Sequence, residues 1–197
     1  MTKDIKWSVD HVHSEVAFKV RHLMIAHVKG TFKIFEANIY TTGRDFTTAQ
    51  IDFWIDASSI TTGDEKRDEH LKGADFFDAK THKQLTFTSS TIGEADEDGN
   101  HELWGELTIK GITKNIKLNV QFMGTMDAPF RNEKAGFILA GKINRDDWGL
   151  KWNKVIETGD FMISEDVAIS CKVELYNTNQ KNLTMKLEPT TNTTVAL

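Results

Sequence analysis

The chain has 197 residues, 39% of them hydrophobic and 27% charged, with two prolines and one cysteine. These proportions suit a folded domain and exclude a largely disordered chain, while the lone Cys171 excludes an internal disulfide and a multi-cysteine zinc site. With 24 Lys and Arg against 29 Asp and Glu, the net charge of −5 argues against a nucleic-acid partner, and against docking on an anionic membrane by charge alone.

From the amino terminus onward the dominant pattern has period two. Met1 to Trp7 carries a Lys but no following apolar stretch, so no secretory signal is read there. No apolar run approaches the roughly 18 residues of a membrane span, which leads to the expectation of a soluble, cytoplasmic chain. Strands are predicted near 7–10 and 14–22, where Val16, Phe18 and Val20 alternate with Glu15, Lys19 and Arg21. Further strands are predicted over 30–41 and over 49–57, where Ile51, Phe53 and Ile55 alternate with Asp52, Trp54 and Asp56.

Ser58 to Asp78 then breaks the alternation. Thr62 with Glu65 reads as a capping box for a short helix over 64–71, Gly73 falls where a left-handed cap glycine belongs, and Leu71, Phe76 and Phe77 would tack the excursion to the body. Strands resume at 84–93, 101–110, 113–124, 134–144 and 164–177. Glu94 to Gly99 resembles a calcium loop, but its twelfth position is Gly105 rather than Glu, so it reads as an acidic hairpin turn. Arg145 to Asp160 is a second excursion, and residues 178–197 form a polar tail in which the Asn182 and Asn192 glycosylation patterns carry no weight. Eight or nine long strands, each with one apolar and one wet face, close most readily into an antiparallel barrel. The domain is placed at 1–177.

Candidate chemistry is sparse. His11 and His13, two apart, could chelate if they lay on a strand, yet no HExxH or Cys cluster supports a metal site. No nucleophile elbow, P-loop or dinucleotide fingerprint occurs, paired Asp146 and Asp147 suit a turn, and Cys171 reads as a small inward-facing hydrophobe. Aromatic rings crowd the inward phases: Phe18, Phe32, Phe53, Phe87, Phe122 and Phe137, with Trp148 and Phe161 nearby. Small inward residues (Ala49, Ala57, Gly105, Gly141) would leave volume for an apolar cavity. A filled core is the plainer alternative.

Several blocks of this sequence resemble the YceI-like, polyisoprenoid-binding family. They are Trp7 to Leu23, Val28-Lys29-Gly30-Thr31-Phe32, Ser59 to Gly63, and Arg67 to Leu71 with Asp75-Phe76-Phe77-Asp78. Leu85 to Ser89, Gly105 to Lys114, Ala135-Gly136-Phe137 and Ile143 to Gly149 continue the match over 7–177. The resemblance implies a lipocalin-like closed barrel of about eight strands with a short helical insertion. It also implies non-catalytic binding or transport of a long-chain amphiphile, such as a polyisoprenoid, a quinone precursor or a fatty amide, with no other cofactor. The expected cavity wall comprises Phe18, Val20, Phe32, Phe53, Ile55, Phe76, Phe87, Leu107, Leu118, Val120, Phe122, Phe137, Leu139, Trp148 and Ile169.

His22, Arg67, His70 and Arg145 are the head-group candidates, since arginine suits phosphate; ion pairs of the arginines with acids such as Asp64 or Asp147 are the alternative. Trp148 replaces the family's usual phenylalanine and would shorten or reshape the bore. Thr81-His82-Lys83-Gln84 replaces a tyrosine-proline pair, and members are frequently periplasmic, so export remains open if a signal was removed. A homodimer is also left open. The rival functions are an enzyme using rim His and Asp as acid and base, or a filled structural barrel.

Overall fold

A computed structural model describes residues 4–23, 25–126, 133–153 and 162–180. Its strands are β1 (Asp4–Val9), β2 (Glu15–His22), β3 (Ala26–Phe32), β4 (Phe35–Thr42), β5 (Asp45–Asp56) and the two-residue β6 (Ile60–Thr61). After helix α1 (Glu65–Lys72) come β7 (Gln84–Ile92), β8 (Asn100–Ile109), β9 (Ile112–Met126), β10 (Lys134–Asn144) and β11 (Ile163–Asn177). Phe161 and the tail beyond Gln180, with its Asn182 and Asn192 patterns, lie outside the described residues.

All pairings are antiparallel and the wall is a closed barrel. β4, β5, β7, β8, β9, β10 and β11 follow one another around the wall, and β1 bridges β11 to β4. β1 and β2 lie end to end along the same edge of β11, pairing Val9 with Leu175 and Val16 with Cys171. β3 and β4 lie end to end in turn, β3 on β2 and β4 on β1. Two interrupted strands and six continuous ones therefore make eight staves. The phase of the apolar residues follows from closure, because every inward position on one strand must meet the inward positions of two neighbours.

The single strand expected over 30–41 is two. Gly30 and Phe32 face inward at even positions, whereas Phe35, Ala37 and Ile39 are buried at odd ones. A continuous strand cannot turn both sets to one side, so the chain breaks at Lys33 and Ile34. The break is held by Ser59: its carbonyl accepts from the Lys33 amide and its hydroxyl from the Ile34 amide. Before the break the end of β3 pairs with β6, Phe32 opposite Ile60, and after it β4 pairs with β5. α1 lies beside this corner, against β6.

Three local expectations are corrected. The helix cap is Asp64, whose carboxylate accepts from the Arg67 amide, and Thr62 is used elsewhere. Gly73 sits at φ −72°, so it is not a left-handed cap. His11 and His13 lie in the turn after β1 and diverge, His11 to Glu36 at 3.2 Å and His13 to Asp10 at 3.0 Å.

The small inward residues also behave differently from expectation. A Cβ on Gly105 would lie 2.4 Å from the Phe87 ring and 2.5 Å from the Thr88 carbonyl oxygen, and one on Gly141 would lie 2.4 Å from Leu118. Neighbouring side chains already fill those gaps, and of the four small residues only Ala49 borders the cavity. Gly105→Val should therefore lower stability by about 2 kcal/mol or more, read as a fall in the urea midpoint. The Thr88 oxygen is backbone and cannot rotate away, so an unchanged midpoint would refute this packing.

Candidate ligand-binding site

The barrel is not filled. An interior cavity of about 730 Å³ runs between its two ends, within the range of roughly 300–1,000 Å³ typical of ligand pockets. Of the predicted wall, Phe18, Val20, Phe32, Phe53, Ile55, Phe76, Phe87, Leu107, Leu118, Val120, Phe122, Phe137, Leu139 and Ile169 all line it. Trp148 does not. Its indole N–H donates to the Leu107 carbonyl at 3.1 Å, and its buried ring borders a shallow outer cleft with Lys114, Lys117 and Lys142. A buried indole must find an acceptor, and this one found it in the wall rather than in the bore, so Trp148 neither shortens nor reshapes the cavity.

Two aromatic groups mark the ends. At the β4–β5 turn Phe46 packs on Trp7 at 4.9 Å and on Phe137 at 4.8 Å between ring centres. Alternation misplaces Phe46, because an irregularity in the β4–β5 register after Tyr40 breaks the phase shared by Ala49 and Ile51. At the opposite end the His70 ring stands edge-on to Phe76 at 5.1 Å and to Trp152 at 4.6 Å, and Phe77 stands edge-on to Phe32 at 5.8 Å. Trp152 lies in an excursion without periodicity, so no sequence pattern marks it as a lining residue.

All four head-group candidates border the cavity, together with Lys66. The structure brings them together at the α1 end, but their commitments differ. Arg67 Nε donates to the Thr62 hydroxyl at 2.6 Å and Nη2 to the Thr62 carbonyl at 3.0 Å, so its partner is not Asp64. His70 meets Asp75 at 3.1 Å. His22 ends β2 opposite Ile163 and Ala26.

Arg145 is only 4% exposed and serves the backbone: Nε donates to the Ser164 carbonyl, and Nη1 to those of Leu150 and Trp152. Asp146, not Asp147, is its nearest acid at 3.8 Å. Burial lowers its pKa despite the neighbouring Asp146 and Glu165. Arg145 thus organises the 145–153 excursion that carries Trp152 to the mouth.

Asp68 anchors α1. Its carboxylate accepts from both the amide and the hydroxyl of Thr62, at 2.8 and 2.6 Å. Burial pushes this carboxyl up, but the Thr62 and Thr61 hydrogen bonds and the Arg67 charge outweigh it, and its pKa lies below the ordinary value. Within the bore, burial pushes the Cys171 thiol up to about 11. Among the described residues the one group with metal-ligand geometry is Asp10, His13 and Glu174, near the β1–β2 turn. The Lys134 ammonium donates to both of its carboxylates, so the cluster is held as an ion network.

The YceI-like domain family matches residues 7–175. The chain belongs to the YceI-like family. A UPF0312 protein of Staphylococcus epidermidis is 36% identical over 170 residues, covering 86% of this chain and 96% of its own. Among solved structures, the Campylobacter jejuni YCEI protein is 33% identical with a TM-score of 0.66, over 80% of this chain and 88% of its own. BcnA of Burkholderia cenocepacia is 25% identical with a TM-score of 0.70, over 84% and 98%. At 17% identity and a TM-score of 0.61, a polyisoprenoid-binding domain from Saccharophagus degradans shares the fold over 87% of this chain and 98% of its own. No helix among the described residues of this YceI-like chain is long and apolar enough to cross a membrane.

A carboxyl whose pKa is depressed on folding contributes stability above its unfolded pKa and loses it as pH falls through the folded one. Wild type should therefore melt above Asp68→Asn at pH 6, and the gap should shrink steadily below the ordinary Asp pKa of 3.8. Thermal unfolding between pH 6 and pH 3 checks this, and a pH-independent gap would contradict it.

Proposed function

We propose that the chain binds and carries a long-chain amphiphile, with the tail in the bore and the head at the α1 mouth. The carrying observation is the open cavity itself, largely apolar, edged by Lys66, Arg67, His22 and His70 at the α1 end and by Arg44, Asp45 and His101 at the β4–β5 end. An unfilled apolar cavity leaves its lining short of dispersion contacts, and a hydrocarbon tail restores them while leaving water at about 25 cal/mol per Å² of apolar area. Polyisoprenoids, quinone precursors and fatty amides all fit this division. Membership of the YceI-like family and the Saccharophagus degradans neighbour, itself described as polyisoprenoid-binding, agree with it. Burial pushes the Cys171 thiol in the bore up to about 11, which suits a wall residue rather than a nucleophile.

Organic extraction of protein purified from its native host, followed by mass spectrometry, should yield a stoichiometric amphiphile. A chemically altered product after incubation with that lipid would favour the enzyme reading instead. Val120→Trp with Ile169→Trp places two large rings in the bore and should weaken binding of a fluorescent fatty probe at least tenfold without lowering the melting temperature. Equal affinity would remove the cavity from the mechanism. Arg67→Ala should weaken a polyprenyl phosphate by about tenfold and leave a neutral fatty amide unchanged; equal losses for both would return Arg67 to a purely structural role.

A further inference from the structure

The β2–β3 hairpin carries a feature that cavity binding does not use. Residues 16–33 contain Lys19, Arg21, Lys29 and Lys33, two histidines, and no Asp or Glu, in a chain whose net charge is −5. On the outer face of the hairpin Lys19 stands directly opposite Lys29, and Arg21 directly opposite His27. The like charges of Lys19 and Lys29, directly opposite on the sheet, destabilise the pairing, and the Lys19, Arg21, His27 and Lys29 side chains are all exposed. No ion pair or hydrogen bond of the Lys19, Arg21 or Lys29 side chains occurs among the described residues. The acids at the start of β11 have other partners: Glu165 accepts from Asn144 at 3.5 Å, and Asp166 pairs with Lys142 at 2.6 Å.

The tip of the same hairpin is apolar where a turn is ordinarily polar. Leu23 adopts a left-handed φ of 51°, which an L side chain rarely takes, and Ile25 is 88% exposed. Beside this tip, His22 borders the cavity mouth. A cationic strand pair ending in an exposed aliphatic tip is complementary to an anionic bilayer: the charges meet lipid phosphates, and the tip enters the acyl boundary.

We propose that the β2–β3 hairpin docks this protein on an anionic lipid bilayer, with the cavity mouth against the membrane. The binding is peripheral and local, and the overall charge of −5 does not oppose it, because screening confines each charge to roughly 8 Å at physiological salt. The proposal stands apart from the identity of the cavity ligand.

Flotation of the full chain with phosphatidylglycerol vesicles against phosphatidylcholine vesicles tests it. The protein should float with the anionic vesicles and not with the zwitterionic ones, and added salt should release it. Lys19→Glu with Lys29→Glu should cut partitioning at least about tenfold, and Ile25→Asp should do the same. Lys83→Glu with Lys114→Glu, the same charge change on other exposed positions, should leave it unchanged. Fluorescent-probe binding in every variant reports whether the barrel and its bore are intact. Equal flotation with both vesicle types overturns the proposal, as does an equal loss in the control variant. Wild-type partitioning by Ile25→Asp, with an oligonucleotide competing as well as vesicles do, would identify a polyanion surface with no lipid component and overturn it too.

Discussion

A sheet has two edges, and both must be removed if its wall is to enclose a space. Here β11 does it. Eleven of its fifteen residues, Asp166 to Tyr176, pair with β10 along one side, and along the other it pairs with β2 over its first part and β1 over its last. Once that ring is closed, alternation ceases to be a local preference and becomes a requirement on every strand. The odd positions of β5, β8 and β11 and the even positions of β9 must face one another across the bore. The cavity, its apolar wall and the outward charges all descend from this one set of backbone hydrogen bonds.

That is why most of the barrel was readable from period two alone. Strand phases at Phe53, Leu107, Val120 and Ile169 translate directly into cavity lining, because a closed antiparallel wall leaves a side chain only two directions. The failures have a shared origin in places where the backbone departs from the ladder. Phe46 follows a register irregularity, Phe35 follows a break in phase, and Trp152 hangs on an excursion with no ladder at all. Alternation alone predicts one strand through 30–41, and only the burial of both Phe32 and Phe35, three residues apart, shows that the phase changes between them. Gly105 and Gly141 misled for another reason: absence of a side chain says nothing about which neighbour moves in, and Phe87 and Leu118 did.

The mouth shows how a fold holds cations beside an apolar space. A guanidinium leaving water needs acceptors, and the structure satisfies the two arginines differently. Arg145 is fully engaged with carbonyls and fixes the shape of the excursion, whereas Arg67 rests on Thr62, itself pinned by Asp68. One cation builds the rim and the other borders the opening. Sequence placed both near the site, but only the hydrogen-bond partners separate their roles.

Pairing Trp7 with Asn177 has a consequence for how the molecule assembles. Most neighbouring staves are also neighbours in the chain, so the meander can grow hairpin by hairpin with little loop entropy at each step. The seam between the first and last staves cannot, for it waits on nearly the whole polypeptide. Seam closure is thus the late, topologically expensive event, and until it happens two bare edges face solvent. The same juxtaposition brings the ends of the barrel together, so the order in which its staves are written along the chain could be rotated, with new ends opened at an exposed hairpin such as Asp98-Gly99, without altering the barrel.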